Sequence, residues 1–168
     1  RDTFTYVDRI EGTQFDDIIT GSNQYIESFV GEAGNDTIDG GGYYDDSVSK
    51  GYDTIDYRYE SSQWDTSITA RGVMVDLANN TATDTFGDTD TLYHIDGVFG
   101  SHLDDSIVGN DRNNYLIGGD GSDVIQGGDG DDQLEGGAGD DVLKGGNGND
   151  TLVGGTGNVQ IFGEAGDD

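Results

Sequence analysis

The chain has no cysteine and no proline among its 168 residues. Without cysteine it can hold neither a disulfide nor a thiolate-bound metal. Proline removes a ladder hydrogen bond, so its absence leaves every segment free to sit in a central strand. Basic residues are scarce: 7 lysines and arginines stand against 35 aspartates and glutamates, a formal charge of −28. That excess argues against nucleic acid or an anionic membrane as a partner, because both repel it. No apolar run nears the roughly 18 residues that span a bilayer. No cleavable N-terminal signal is visible. Apolar residues make up only 32 % of the chain. A sequence this charged and this poor in apolar residues stays disordered unless something neutralises its carboxylates. No HExxH or GxSxG signature is present. His94 and His102 are isolated and read as structural or surface residues. The segment starts at Arg1 and stops inside a repeating unit, so it reads as a piece of something longer.

Glycine is what the chain has in quantity, with 30 residues. Five consecutive nine-residue units begin Gly-Gly: GGDGSDVIQ from Gly118, GGDGDDQLE from Gly127, GGAGDDVLK from Gly136, GGNGNDTLV from Gly145 and GGTGNVQIF from Gly154. A sixth, GEAGDD from Gly163, stops part-way. All but the fifth complete unit fit Gly-Gly-x-Gly-x-Asp-x-U-x, where U is large and apolar. The glycines permit left-handed backbone and close approach of carbonyl groups. The aspartate at position six adds a hard anionic oxygen. Ca²⁺ takes about six to eight oxygens of these two kinds. The last three residues of each unit predict a short strand, with Ile125, Leu134, Leu143, Leu152 and Ile161 pointing inward. One such turn buries nothing alone, whereas stacked copies bury a narrow aliphatic ladder. The predicted fold class is therefore all-β, a parallel roll.

These units resemble the repeat domain of the RTX (repeats-in-toxin) family, shared by secreted serralysin-type proteases, lipases, toxins and adhesins. The resemblance implies a right-handed β-roll in which two units make one coil. Each Ca²⁺ then sits between a unit and the next but one. It implies ligation by Asp123, Asp132, Asp141, Asp150 and Asp168. Carbonyl donors would come from positions one and three: Gly118, Asp120, Gly127, Asp129, Gly136, Ala138, Gly145 and Asn147. Val159 departs from the pattern, which leaves the position facing Asp141 short of a carboxylate. The family is exported in one step by a type I secretion apparatus and folds in external Ca²⁺. The implied role is a Ca²⁺-dependent folding and secretion module of a larger secreted protein, with the rest of that chain as partner. Two features known from some family members are missing. There is no regular Thr/Asn row of the ice-binding kind, and no Asp-Pro bond at which the chain could cleave itself.

A longer repeat is also present. Asp2–Ser22 matches Asp90–Asn110 at an offset of 88 residues, pairing Asp8 with Asp96, Gly12 with Gly100 and Asp17 with Asp105. The chain thus divides into a first block, 1–56, a connecting segment, 57–94, and a second block, 95–168. Looser nine-residue units place Asp17, Asp36 and Asp105 at position six, with Asn114 as a weaker neutral donor. An interrupted unit places Asp53 there, after an acidic insert (42–50) that reads as a loop and offers Asp45 or Asp46 as further donors. In the connecting segment, 55–59 and 72–77 alternate as strands, with Ile55, Tyr57 and Tyr59 on one face and Val73, Val75 and Leu77 on another. Residues 78–90 read as turn and loop, turning at Asn79-Asn80. Tyr43, Tyr44, Tyr52, Tyr57, Tyr59 and Trp64 cluster in sequence. Two readings stand for them: packing of the irregular segment, or a glycan-binding patch of an adhesin or of a module of a polysaccharide-modifying enzyme.

Overall fold

The computed structural model describes residues 9–22, 26–42, 52–58 and 71–168. Tyr43, Tyr44, Asp45, Asp46, Tyr59 and Trp64 lie outside the described residues. No helix occurs among those described. The strands of the first block are β1 (Arg9–Glu11), β2 (Ile18–Thr20), β3 (Ser28–Val30), β4 (Thr37–Asp39) and β5 (Thr54–Asp56). Next come β6 (Met74–Asp76), β7 (Thr81–Thr83), β8 (Thr89–Tyr93), β9 (Gly97–Phe99) and β10 (Ser106–Val108). The longer strands follow: β11 (Tyr115–Asp120), β12 (Val124–Asp129), β13 (Gln133–Ala138), β14 (Val142–Asn147), β15 (Thr151–Thr156) and β16 (Gln160–Ala165).

Apart from β6, β7 and β8, which share one sheet, successive strands alternate between two sheets, which is how a solenoid coils. One sheet runs β1-β3-β5-β9-β11-β13-β15, and the other runs β16-β14-β12-β10-β6-β7-β8-β4-β2. Pairing is parallel throughout except at β7, which is antiparallel to both β6 and β8. In the strict units the strands are twice the expected length. The Gly-Gly-x that opens each following unit also pairs, as Gly119 with Gly137 and Gly128 with Gly146.

The middle residue of each strand points between the sheets. Phe29, Ile55, Val98, Leu116 and Leu134 line one side, and Ile38, Leu92, Val75, Ile107, Ile125 and Leu143 line the other. Register stacks them directly: Leu116 faces Leu134, and Ile125 faces Leu143. Leu152 is only partly buried, and Ile161 on the outermost strand β16 is 48 % exposed, because nothing among the described residues stacks on it. The connecting segment follows the same logic. Ile55 and Tyr57 are buried together, as are Val73, Val75 and Leu77. The turn at Asn79-Asn80 is present, with Asn80 at φ 58°. The expected loop after it is instead strand: Thr81–Thr83 forms β7, and Ala82 turns inward between Val75 and Asp90.

Candidate metal sites

Position six of each turn stands just before a strand, at the rim where the chain enters the sheet. In the strict units Asp123, Asp132, Asp141 and Asp150 occupy it, and all four are buried. One carboxylate oxygen of each is used between turns. The Asp105 N–H donates to Asp123 Oδ1 at 2.8 Å, and the Asp123 N–H donates to Asp141 Oδ1 at 3.0 Å. In the other column the N–H groups of Asn114, Asp132 and Asp150 donate to Oδ1 of Asp132, Asp150 and Asp168 at 2.7, 2.9 and 2.9 Å. The second oxygen behaves differently. Oδ2 of Asp123, Asp132, Asp141 and Asp150 is buried with no hydrogen-bond partner. A buried carboxylate oxygen left unpaired costs far more than one in water. Four in register call for a cation.

The glycines show what surrounds these oxygens. A Cβ added to Gly118 would collide with Asp123 Oδ2, and also with the Gly136 carbonyl. Gly127 stands in the same relation to Asp132 and the Gly145 carbonyl, and Gly145 to Asp150 and the Gly163 carbonyl. Each cradle therefore brings an aspartate of one unit beside the position-one carbonyl of the unit stacked on it. Position-three carbonyls also bridge turns: those of Ala138 and Asn147 accept the N–H of Gly121 and Gly130. No three carboxylate or imidazole side chains converge on one point among the described residues, so backbone oxygens must supply most of the donors. That donor set, all oxygen and part anionic, suits Ca²⁺ and no softer metal.

Position two decides whether the second oxygen is open. Glycine there adopts a left-handed φ: 118° at Gly119, 117° at Gly128, 110° at Gly137 and 116° at Gly146. In each of these turns Oδ2 is left free. Glu32 takes the same conformation at φ 64°, and Asp36 Oδ2 is likewise unpartnered. Where position two is Ser, Thr or Asn with ordinary φ, its own N–H closes the carboxylate. Ser101 N–H donates to Asp105 Oδ2 at 2.6 Å, Thr13 N–H to Asp17 Oδ2 at 2.6 Å, and Asn110 N–H to Asn114 Oδ1 at 2.8 Å. Asp105 is further bonded by the Val73 N–H and the Ser101 hydroxyl, each at 2.7 Å. Asn114 also spends its amide on the Asp96 carbonyl at 3.2 Å. The sequence reading grouped all these residues as donors; the structure separates open turns from self-closed ones. Asp53 follows Gly41, φ 112°, and accepts the Glu27 N–H at 2.9 Å. The sequence reading missed Glu27, Asp90 and Asp96, which also hold position six. The signal was an acidic residue two places before a buried apolar one.

Burial pushes the open carboxylates up. Asp123 and Asp132 rise to about 7 through loss of hydration first, with neighbouring aspartates adding to it. Asp53 rises to about 7 and Asp36 to about 6 for the same leading reason. At position 159 the pattern fails as the sequence implies. Val159 packs its methyl groups over Gly154, 3.0 Å from where a Cβ would stand, and brings no oxygen to Asp141.

A second ladder runs outside the first. Position-five side chains accept N–H groups from the next turn: Asp104 from Ser122 at 2.7 Å, Asp131 from Asn149 at 2.8 Å, Asp140 from Asn158 at 2.9 Å. Here the later turn donates to the earlier, opposite to position six. Of the two histidines, His94 Nδ1 lies 2.7 Å from Asp39 Oδ1 and His102 is exposed.

The model of the RTX calcium-binding nonapeptide repeat matches the chain in four copies, at residues 2–24, 22–42, 104–143 and 144–168. The chain belongs to the RTX calcium-binding repeat family. No curated protein matches it. The RTX match leaves out residues 43–103, the stretch that holds the antiparallel strand β7.

Proposed function

We propose that this RTX segment is a Ca²⁺-dependent folding module of a larger secreted protein, unfolded during export and folded outside the cell. The observation that carries this is the row of buried, unpartnered Oδ2 atoms in the glycine-opened turns. Ions lie between Asp123 and Asp141, between Asp132 and Asp150, and between Asp150 and Asp168, beside the carbonyls of Gly136, Gly145 and Gly163. Asp36 shares the unpartnered Oδ2, and Asp53 lies in a unit that opens with left-handed Gly41, so both join the proposed set. The self-closed turns of Asp17, Asp105 and Asn114 hold no ion, because a backbone N–H already stands in the cation's place. Metal binding is then folding free energy, because the row cannot form while its charges are unneutralised. Circular dichroism with excess chelator and with millimolar Ca²⁺ tests this. Cooperative gain of β-signal on adding Ca²⁺ is expected. A full β-signal in chelator would overturn it.

A second reading, a glycan-binding surface, is favoured by one cluster. Tyr52 stacks on Tyr115 with ring centroids 5.9 Å apart, Phe99 meets Tyr115 edge-on, and Gln133 donates to the Tyr52 hydroxyl at 3.3 Å. Aromatic faces beside amide groups suit sugar rings. A glycan array should then show binding that Tyr115→Ala abolishes; an empty array would end this reading and leave the first intact.

A further inference from the structure

The position-six row is interrupted where β7 enters the sheet, and two buried carboxylates stand there: Asp90, which holds position six, and Asp84, which the nine-residue pattern does not reach. Asp84 follows β7 and is 0 % exposed; Asp90 lies in β8 and is 1 % exposed. Asp84 Oδ1 accepts the N–H groups of Gly87 and Asp88 at 2.6 and 2.8 Å, which closes the turn between the strands. Asp90 Oδ1 accepts the Asp36 N–H at 2.9 Å across 54 residues of sequence. The second oxygens of both, Asp84 Oδ2 and Asp90 Oδ2, are buried with no hydrogen-bond partner.

The register brings the two side chains together. Ala82 stands directly opposite Asp90. Ala82 and Asp84 are two residues apart and both buried, so they share the inner face of the strand. Diagonal neighbours of this kind have Cβ atoms about 7 Å apart, a gap that two carboxylates close around one ion. None of the ion pairs among the described residues supplies either group with a cation. Asp36, just before the adjacent strand β4, adds a third unpartnered Oδ2 to the same stretch of the row.

We propose that Asp84 and Asp90 bind a Ca²⁺ ion that fastens the β7–β8 hairpin to the first block, a site that joins one position-six residue to a carboxylate outside the nonapeptide repeat. The donors are oxygen alone, which selects a hard divalent cation. Its place gives it a task. It sits where parallel pairing gives way to antiparallel, and where β4 must find β8 after a long excursion. Burial raises Asp84 to about 6 and Asp90 to about 7, so both charges are costly there without a counter-ion.

The inference rests on the calcium reading of the repeats, and its test separates the two. Crystals of the chain grown in Ca²⁺ and measured at long wavelength locate each ion by anomalous scattering. A peak between Asp84 and Asp90, besides those in the repeats, is the expected result. Peaks in the repeats alone would overturn this site and leave the repeat reading standing; no peaks anywhere would overturn both. In solution, Asp84→Asn keeps the side chain's shape and its bonds to the turn. It should bind one ion fewer by equilibrium dialysis and melt at a lower temperature in saturating Ca²⁺. An unchanged ion count, or a higher melting temperature from relief of a bare buried charge, would overturn the proposal.

Discussion

At position two, glycine and serine lead the carboxylate four residues on to different chemistry. Gly128 adopts left-handed backbone and leaves Asp132 Oδ2 open, whereas Ser101 closes Asp105 with its own N–H. Asp132→Asn should therefore raise the Ca²⁺ midpoint of folding severalfold, while Asp105→Asn should shift it little. Titration followed by circular dichroism checks this, and equal shifts would refute the distinction. Val159 offers the reverse experiment. It packs against Gly154, whose carbonyl lies in the same cradle as the unpartnered Asp141 Oδ2. Val159→Asp should add one bound ion and lower the midpoint. An unchanged ion count would show that this turn cannot be opened by a carboxylate alone.

In the strict units each strand contributes one apolar inward residue, so each carries its core share on a single side chain. Leu134 is 1 % exposed between Leu116 and Leu152, and Ile161 is 48 % exposed on the last strand. Leu134→Ala should cost about 2–5 kcal/mol, the range for an emptied core site. Ile161→Ala should cost well under that, and urea unfolding in Ca²⁺ measures both. At this scale much was legible beforehand. The nine-residue spacing located Asp123, Asp132, Asp141 and Asp150 and their inward partners, because glycine and aspartate at fixed spacing dictate the turn. Strand length was not legible, since Gly-Gly-x carries no β-propensity and pairs only because its neighbour turn is identical. Nor was β7: Thr-Ala-Thr has one small inward residue and sits beyond the reach of any period. Self-closure of Asp17 and Asp105 was invisible because it depends on a backbone angle at position two, which a list of aspartates does not record.

For the molecule as a whole, the raised carboxylates set a pH dependence. Asp123, Asp132, Asp53 and Asp90 rise to about 7 in the folded chain, against an ordinary 3.8. A carboxyl with a raised folded value binds its proton more tightly when folded. The metal-free fold is thus penalised above about pH 7 and relieved progressively as pH falls towards about 4. Acid should partly replace Ca²⁺, giving the chelated chain more β-signal near pH 5 than near pH 8, while protons competing for the sites raise the Ca²⁺ midpoint. A chelated chain whose β-signal fell on acidification would contradict this. The two sheets differ in another respect: among the described residues one has nine strands and the other seven, because β6, β7 and β8 lie between β4 and β10 where a single strand would keep step. At roughly 4.8 Å per strand, one face is longer by about 10 Å, which is also roughly the gap between packed sheets. Two rails of unequal length cannot run straight. The long axis must veer at the hairpin, by an angle on the order of one radian if nothing fans to absorb the difference. Unless fanning absorbs that difference, the repeats before and after the hairpin would point in different directions, an elbow rather than a rod.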